Sequence, residues 1–275
     1  MYFGGLLLRK IFREASIILL IIFAALCIRT IAYESYFVPT GSMVHTILPG
    51  DYIIATKYDY GISNYSIPFQ PNLFHGKIFN THTPERGDIV VLYLPNTKLV
   101  RFVKRVIGLP GDKIQMKRGL LHINDKPVKK EFIKFWVDEE GTEYAQYLET
   151  LPNGIQHTTL DLAGEAGRAL LDSPNRNTEA TLLAENQYFC MGDNRDNSGD
   201  SRCHLPPIFN ENIIGKARFI WLSTKELLFP QYPLSFIEHI KQIGVWLKSI
   251  RTERAFMSFT NKSIQQRQEI DPIKQ

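Results

Sequence analysis

One serine, one lysine and one dense polar loop are the residues of this 275-residue chain best suited to chemistry. Ser42 follows a glycine in Pro39-Thr40-Gly41-Ser42-Met43, and Lys104 lies within the largely apolar run 102–107. A serine hydroxyl attacks a carbonyl only when a base removes its proton. A lysine is such a base when burial keeps its amine neutral. The pair therefore predicts a serine hydrolase with a lysine base.

The environment of Lys104 favours this role. Strand alternation places Phe102, Lys104 and Val106 on one face, and Val103, Arg105 and Ile107 on the other. The ordinary lysine pKa is about 10.4, and burial lowers it by up to about 3–5 units. A neutral amine near neutral pH is therefore within reach. The competing interpretation is a lysine that protects a strand edge from aggregation.

The polar loop runs from Gly192 to Arg202. It holds three aspartates, two arginines, two asparagines and two serines in eleven positions. This density predicts a network of ion pairs and hydrogen bonds, and an ordinary solvated loop is the alternative. A calcium loop is disfavoured because two arginines are present and no glutamate stands at the required offset.

Two further features bear on Ser42. Its backbone N–H and the hydroxyl of Thr40 are expected donors to an oxyanion. His45, with Asp51 behind it, is an alternative base. A histidine three residues after a serine seldom reaches the hydroxyl with suitable geometry. Lys104 therefore remains the preferred base.

An apolar segment precedes these residues. Residues 15–33 number 19, about 28 Å of helix, which spans a bilayer core if Arg29 snorkels to the interface. Arg9, Lys10 and Arg13 come before it, which predicts a cytoplasmic N-terminus over 1–14 and a catalytic domain on the outer side. A cleaved signal peptide is the alternative to a single-pass anchor.

The chain beyond the anchor has the pattern of a mostly β protein. Apolar runs predict strands over 51–57, 88–94, 100–107, 187–191 and 217–222, and Lys117-Arg118-Gly119 predicts a hairpin turn. No helical periodicity of useful length occurs between Pro39 and Pro230. A catalytic core is therefore expected in two parts, 34–130 and 186–230.

Two regions differ from this core. Residues 131–185 are more polar and predict an inserted β-subdomain, with a hairpin at Asn153-Gly154. In 231–275, apolar residues recur at helical spacing and predict an amphipathic helix, followed by a frayed tail after Thr252. That helix either lies on an anionic membrane surface or packs on the body of the protein.

Composition excludes some function classes. The net charge of +4 and the lack of a long basic run argue against a nucleic-acid partner. Three cysteines are too few for a disulfide framework, although Cys190 and Cys203 are either bridged or free thiols. No metal or cofactor site is indicated, and a monomer is expected.

Five segments resemble, in the same order, the sequence boxes of bacterial type I signal peptidases. They are Pro39–Met43, Gly50–Tyr52, Arg86–Val90, Lys104–Asp112 and Gly192–Arg202. The resemblance implies a signal-peptidase-like β-fold and a Ser/Lys endopeptidase of the bacterial inner membrane, facing the periplasm. Such an enzyme removes signal peptides from exported preproteins after small residues at positions −1 and −3, without metal or cofactor. Its implied partners are signal peptides and membrane lipid.

The resemblance also implies a role for each matching residue. Ser42 corresponds to the nucleophile, Lys104 to the general base and Ser198 to the serine that orients the lysine, with Thr40 and Ser42 as oxyanion donors. The remaining matches are the charged supports Arg105, Asp193, Asp200 and Arg202, and the pocket residues Tyr36, Val38, Pro39 and Val103. Met43 is expected to insert toward the membrane surface.

The chain also departs from this family pattern. His45 stands where many members have proline, and Cys203-His204 replaces the usual aromatic-glycine pair. Two relatives share the chemistry. A conjugation-type maturation peptidase is one alternative, whereas self-cleaving repressors carry a DNA-binding domain where this chain has an apolar segment. A non-catalytic, membrane-anchored β-domain that binds exported chains is the alternative from another class.

Overall fold

The protein is described by a computed structural model that covers residues 2–67, 73–79, 82–94, 101–138, 140–202, 205–226 and 236–259. The helices are α1 (Tyr2–Ile31), α2 (Gly164–Ala169) and α3 (Phe236–Lys248). The first strands are β1 (Tyr33–Phe37), β2 (Asp51–Thr56), β3 (Ile62–Ser63), β4 (Lys77–Ile78), β5 (Ile89–Tyr93), β6 (Arg101–Gly108), β7 (Lys113–Lys117), β8 (Leu120–Ile123) and β9 (Lys126–Pro127). The others are β10 (Lys129–Val137), β11 (Glu143–Thr150), β12 (Gln156–Leu162), β13 (Thr181–Leu182), β14 (Gln187–Met191), β15 (Ile208–Phe209), β16 (Ile213–Ser223) and β17 (Met257–Ser258). The predicted mostly β fold is confirmed.

Helix α1 contains the predicted membrane segment. Residues 9–31 form a stretch long and apolar enough to cross a membrane, and none of it is buried in the protein. The helix begins at Tyr2 and continues unbroken through the expected boundary between residues 14 and 15. It ends at Ile31, because β1 begins at Tyr33 and pairs with β2. The Arg29 guanidinium at its end binds Glu34 at 2.7 Å.

The main sheet lies in the two stretches, 34–130 and 186–230, that the sequence predicts to form one core, and extends into the C-terminal region. Its order is β1-β2-β16-β5-β6-β14-β15, with β17 added on β16. Strands β5, β6 and β14 are buried along almost their whole length, since apolar residues lie on both faces. Phe102 and Val106 pack with one group of core residues, whereas Val103 belongs to another. The predicted alternation along β6 is therefore confirmed.

Three smaller sheets complete the described body, the smallest being the pair of β3 and β4. The predicted hairpin at Lys117–Gly119 joins β7 and β8 in a four-stranded sheet. Strands β10, β11 and β12 form a three-stranded antiparallel sheet within the stretch expected to be inserted, beginning two residues earlier than 131. The turn at Asn153-Gly154 joins β11 to β12, and Gly154 adopts the positive φ of 83° that glycine tolerates.

The C-terminal region is more ordered than expected. After helix α3, Arg254 is buried and donates two hydrogen bonds to Asp51, and β17 pairs with β16. The prediction of fraying after Thr252 is therefore wrong for residues up to 259. Ile243 and Leu247 on α3 are about half exposed.

Candidate active site

Ser42 lies in the turn segment between β1 and β2, where the polar loop holds it through the backbone. The N–H of Asn194 donates to the Ser42 carbonyl at 3.0 Å, and its side-chain amide donates to the Gly41 carbonyl at 3.2 Å. Thr46, further along the segment, donates its hydroxyl to Asp193 at 2.5 Å. Hydrogen bonds thus hold the segment that carries Ser42, the predicted nucleophile, against the polar loop.

Gly192 is where two of the predicted site serines meet. A Cβ added at Gly192 would lie 2.3 Å from the Ser198 hydroxyl oxygen and 2.5 Å from the Ser42 carbonyl oxygen. No side chain fits at that point. The glycine therefore allows the Ser42 backbone and the Ser198 side chain to lie close to the same point.

Lys104 occupies the middle of β6, opposite Val90 of β5. Only 2% of it is exposed, and its amine makes no hydrogen bond or ion pair with any residue that the structure describes. Burial lowers the pKa of Lys104 to about 8, and the Arg202 cation acts in the same direction against Asp200, Cys190 and Asp193. About a quarter of the molecules would carry a neutral amine at pH 7.5, against roughly one in a thousand for an ordinary lysine.

Ser198 is buried, and its hydroxyl oxygen has no well-formed hydrogen bond in the described part of the chain. It lies close enough to Asp200 to contribute to the lowered pKa of that carboxyl. Burial alone would raise the pKa of Asp200, but the Arg202 guanidinium outweighs it. A hydroxyl in this position is available to a nearby amine.

The charged residues of the loop form the network that the sequence predicts. Arg105 holds Asp193 through two hydrogen bonds of 2.8 and 2.7 Å, and Arg202 holds Asp200 through two of 2.8 Å. Asp200 also accepts the N–H of Gly192 at 3.0 Å. Charge-assisted pairs of this kind fix both position and orientation. The loop is therefore rigid where it meets Ser42.

The predicted oxyanion donors remain open. Thr40 is exposed and Ser42 is half-buried. Neither the Thr40 hydroxyl nor the Ser42 N–H bonds to any residue within the described ranges. Both groups are thus free to bind an incoming carbonyl oxygen.

The predicted pocket residues are split between core and surface. Tyr36, Val38 and Val103 are buried in one apolar cluster, whereas Pro39 is exposed at its margin. Met43 belongs to the same cluster and is completely buried. The expectation that Met43 inserts toward the membrane surface is therefore wrong.

The alternative base finds no support. The His45 ring packs edge-on against Trp136, with ring centroids 5.1 Å apart. Asp51 is held by Ser223 at 2.6 Å and by Arg254 at 2.6 Å. Asp51 is therefore committed to the C-terminal region. The aspartates expected of a calcium loop instead bind arginines, Asp196 pairing with Arg176 at 2.5 Å.

The structure describes one of the two cysteines that flank the polar loop. Cys190 is a free thiol, completely buried beneath the loop, and burial raises its pKa far above the ordinary value. Cys203, its partner in the alternative of a bridge, lies outside the described residues, as does His204.

Sequence reasoning missed several residues that hold the loop. Glu149 of β11 and His157 of β12 are completely buried, and Glu149 binds Arg195 of the loop through two hydrogen bonds of 2.8 and 2.6 Å. Burial and the nearby Arg105 cation lower the pKa of His157. No local pattern marks these residues, because their partners lie 38 to 46 residues away along the chain.

Comparison with known proteins places this site in a family. Residues 11–222 match the family model described as signal peptidase, peptidase S26. The protein named signal peptidase I from Rickettsia canadensis (strain McKiel) is 45% identical over 239 residues, which cover 86% of this chain and 89% of the relative. The protein of the same name from Rickettsia typhi (strain ATCC VR-144 / Wilmington) is 44% identical over 243 residues, covering 88% and 91%.

A solved signal peptidase I from Enterococcus faecalis V583 also aligns. It is 20% identical, with a TM-score of 0.28, and the alignment covers 48% of this chain and 95% of that one. A score this low adds nothing to the assignment, which depends on the sequence matches.

Proposed function

Because this chain belongs to the signal peptidase family, peptidase S26, we propose that it is a membrane-bound serine endopeptidase that cuts signal peptides from exported preproteins through Ser42 and Lys104. One observation carries the dyad: Lys104 is buried, lacks a partner in the described chain and has a pKa of about 8, beside the loop that holds Ser42. A neutral amine in that position is able to act as a general base toward a serine hydroxyl.

The proposed reaction has two halves. Neutral Lys104 removes the Ser42 proton while Ser42 attacks the scissile carbonyl, and the protonated amine then gives its proton to the leaving amine of the mature chain. The acyl group, which is the signal peptide, remains as an ester on Ser42. Water, deprotonated by the same lysine, releases it. Ser198 orients the lysine, and the Thr40 hydroxyl and Ser42 N–H stabilise the oxyanion.

Substrate selection is proposed to lie beside β1. This strand is at one end of the main sheet, and no described strand pairs with its outer edge. An extended signal peptide added there gains backbone hydrogen bonds. Tyr36, Val38 and Val103, with Pro39 at the margin, would then line shallow sites for small residues at −1 and −3.

Location follows from helix α1 and the relatives, which together indicate a membrane-anchored protein. We propose a single pass through the bacterial inner membrane, with the N-terminus cytoplasmic and the catalytic domain periplasmic. The basic residues before the apolar segment support this orientation. The partners are preprotein signal peptides and membrane lipid, and the working unit is a monomer.

The test is cleavage of a purified preprotein by the full-length protein in detergent, with N-terminal sequencing of the product. Ser42→Ala and Lys104→Ala should each reduce kcat by at least about 10³-fold, in line with loss of a nucleophile or base. His45→Ala is the matched control and should retain activity. Activity that survives Lys104→Ala but not His45→Ala would overturn the dyad.

The same samples separate the alternatives. Acylation of Ser42 by a serine-directed penem, seen as a mass increase, is expected of the wild type and not of Ser42→Ala. A non-catalytic binding domain would not acylate. A conjugation-type maturation peptidase would acylate but leave a secretory preprotein uncut.

A further inference from the structure

The polar loop is joined to the three-stranded sheet by an isolated β-bridge. The N–H of Leu160 on β12 donates to the Asp193 carbonyl at 2.9 Å, and the N–H of Arg195 donates back to the Leu160 carbonyl at 2.8 Å. This is a parallel pairing of Leu160 with Asn194. Asn194 is also the residue that donates to the Ser42 carbonyl. Asn194 therefore links the three-stranded sheet directly to the segment that carries Ser42.

A buried ion pair fixes this junction. Arg195 and Glu149 are 3% and 0% exposed, and two hydrogen bonds join them. The Arg195 Nε also donates to the Gly192 carbonyl at 3.2 Å. Gly192 is the point where Ser42 and Ser198 meet. One arginine therefore connects a carboxylate of β11 to the tightest point of the candidate active site.

The surrounding charges make this pair the main link. His157 lies opposite Glu149 in the register of β11 and β12, with its Nε2 3.4 Å from the carboxylate. Its lowered pKa keeps the ring neutral at physiological pH. Arg195 carries the positive charge that balances Glu149, whose pKa is held well below the ordinary value although burial alone would raise it.

We infer that Glu149, acting through Arg195, is a positioning residue for the proton transfer between Ser42 and Lys104. This inference depends on the proposed function. Glu149 touches neither the substrate nor the dyad: it sets where Gly192 and Asn194 lie, and those residues set where Ser42 and Ser198 lie. Misplacement of a reacting group by about 1 Å costs about 10²-fold in rate.

The experiment compares two carboxylate-to-amide changes on the same sheet. Glu149→Gln should lower kcat for preprotein cleavage about 10- to 100-fold while KM changes less than about 3-fold, because the substrate strand binds elsewhere. Asp161→Asn is the matched control. Asp161 pairs with Lys130 at 2.6 Å on this sheet, and its charge acts on Arg195 without a hydrogen bond or ion pair to any described loop residue. It should leave kcat within about 3-fold.

A second variant distinguishes a loss of positioning from a loss of folding. Arg195→Lys keeps the buried charge but loses the two-pronged geometry that reaches both Glu149 oxygens. It should fold, as judged by circular dichroism and melting, yet lower the rate of penem acylation about 10-fold. A folded Arg195→Lys protein with wild-type acylation would contradict the inference even if Glu149→Gln failed to fold.

The pH profile distinguishes positioning from a purely structural role. A loosened loop would admit water to Lys104, whose charged neighbours are Asp200, Arg202 and Asp193, with the Cys190 thiol beside them. Hydration favours the protonated amine, so the midpoint of acylation against pH should rise in Glu149→Gln. Loss of stability alone would leave the midpoint of the folded enzyme unchanged.

The experiments test the Ser42/Lys104 dyad and the positioning role of Glu149 separately. If Ser42→Ala and Lys104→Ala are inactive but Glu149→Gln matches Asp161→Asn in kcat and midpoint, the positioning role is wrong and the dyad stands. If Lys104→Ala remains active, the dyad is wrong, and the positioning role falls with it.

Discussion

Two buried lysines of this protein have opposite surroundings. Lys57, at the end of β2, is 1% exposed, and its amine binds Glu34 at 2.7 Å and the Ser66 carbonyl at 2.6 Å. Lys104 is 2% exposed and has no such partner among the described residues. Burial is the largest cause that lowers the pKa of both amines, but at Lys57 the hydrogen bond and charge of Glu34 oppose it.

The contrast shows that burial alone does not make a base. At Lys57, Glu34 supports the charge of the buried amine and opposes the effect of burial on its pKa, and the same carboxylate binds Arg29 at the end of helix α1. A buried amine whose nearest carboxylates are already taken by arginines has little to stabilise its charge. Asp193 and Asp200 are taken in this way by Arg105 and Arg202. The Arg202 cation thus offsets part of the Asp200 charge at Lys104, and burial lowers the pKa of the amine against the carboxylate charge that remains.

The largest expected effect comes from replacing each lysine by arginine. Arginine keeps its proton and still pairs with a carboxylate. Lys104→Arg should therefore lower kcat for preprotein cleavage by at least about 10³-fold, whereas Lys57→Arg should stay within about 3-fold. Cleavage of one preprotein by both full-length variants measures this. Similar losses in the two variants would show that the lysines do not differ in the way proposed.

The next effect is on stability, and its sign should differ between the two sites. Replacing Lys104 by methionine removes a charge that burial disfavours, so Lys104→Met should raise the free energy of unfolding by about 1–3 kcal/mol at pH 7. Lys57→Met leaves Glu34 and the Ser66 carbonyl without their partner and should lower it by about 1–3 kcal/mol. Denaturant unfolding in detergent measures both.

The stability gain of Lys104→Met should depend on pH in a defined window. The unfolded lysine has a pKa near 10.5 and the folded one a pKa of about 8. Between these values the unfolded state binds more protons, so the wild type gains stability as pH rises. The difference between wild type and Lys104→Met should therefore be constant below about pH 8 and vanish above about pH 10.5. A difference that persists at high pH would mean that packing, and not charge, is the cause.

The smallest expected effect is on the pH dependence of acylation. The reactive form is the neutral amine, so the penem acylation rate should rise with pH to a midpoint near 8 and fall about tenfold from pH 7 to pH 6. Lys57→Arg should leave that midpoint in place, because Lys57 is not the group that titrates. If Lys57→Arg moves the midpoint, Lys57 controls the pH dependence of acylation, and its assignment to Lys104 is wrong.

Much of the fold follows from local pattern. Strands β2, β5, β6 and β14 lie where apolar runs between turn residues predict them, and the Lys117–Gly119 and Asn153-Gly154 turns close the hairpins as expected. These features depend on neighbouring residues, which is why they are visible in sequence. Strand β1 was not predicted, since its edge pairing with β2 gives no strong apolar run; only its first residue, Tyr33, falls in the expected anchor.

The candidate site divides in the same way. Ser42, Lys104 and the polar loop stand out because of their residue types, and the structure brings the Ser42 segment and Ser198 together at Gly192. The ordered C-terminal region was not foreseen, because Arg254 is positioned by Asp51, 203 residues away. Glu149 was missed for the same reason: its contact with Arg195 forms only where the polar loop meets the three-stranded sheet.

The sequence by itself determined the apolar N-terminal helix, the mostly β core and the order of the segments that carry the chemistry. Only the tertiary structure decided which buried lysine is paired and which is not. The physical reason is that residue type sets what a side chain is able to do, whereas its pKa depends on the charges and hydrogen bonds that distant parts of the chain place around it. Lys57 and Lys104 are both lysines with almost no exposed surface, and the partner that Lys57 has and Lys104 lacks among the described residues sets them apart.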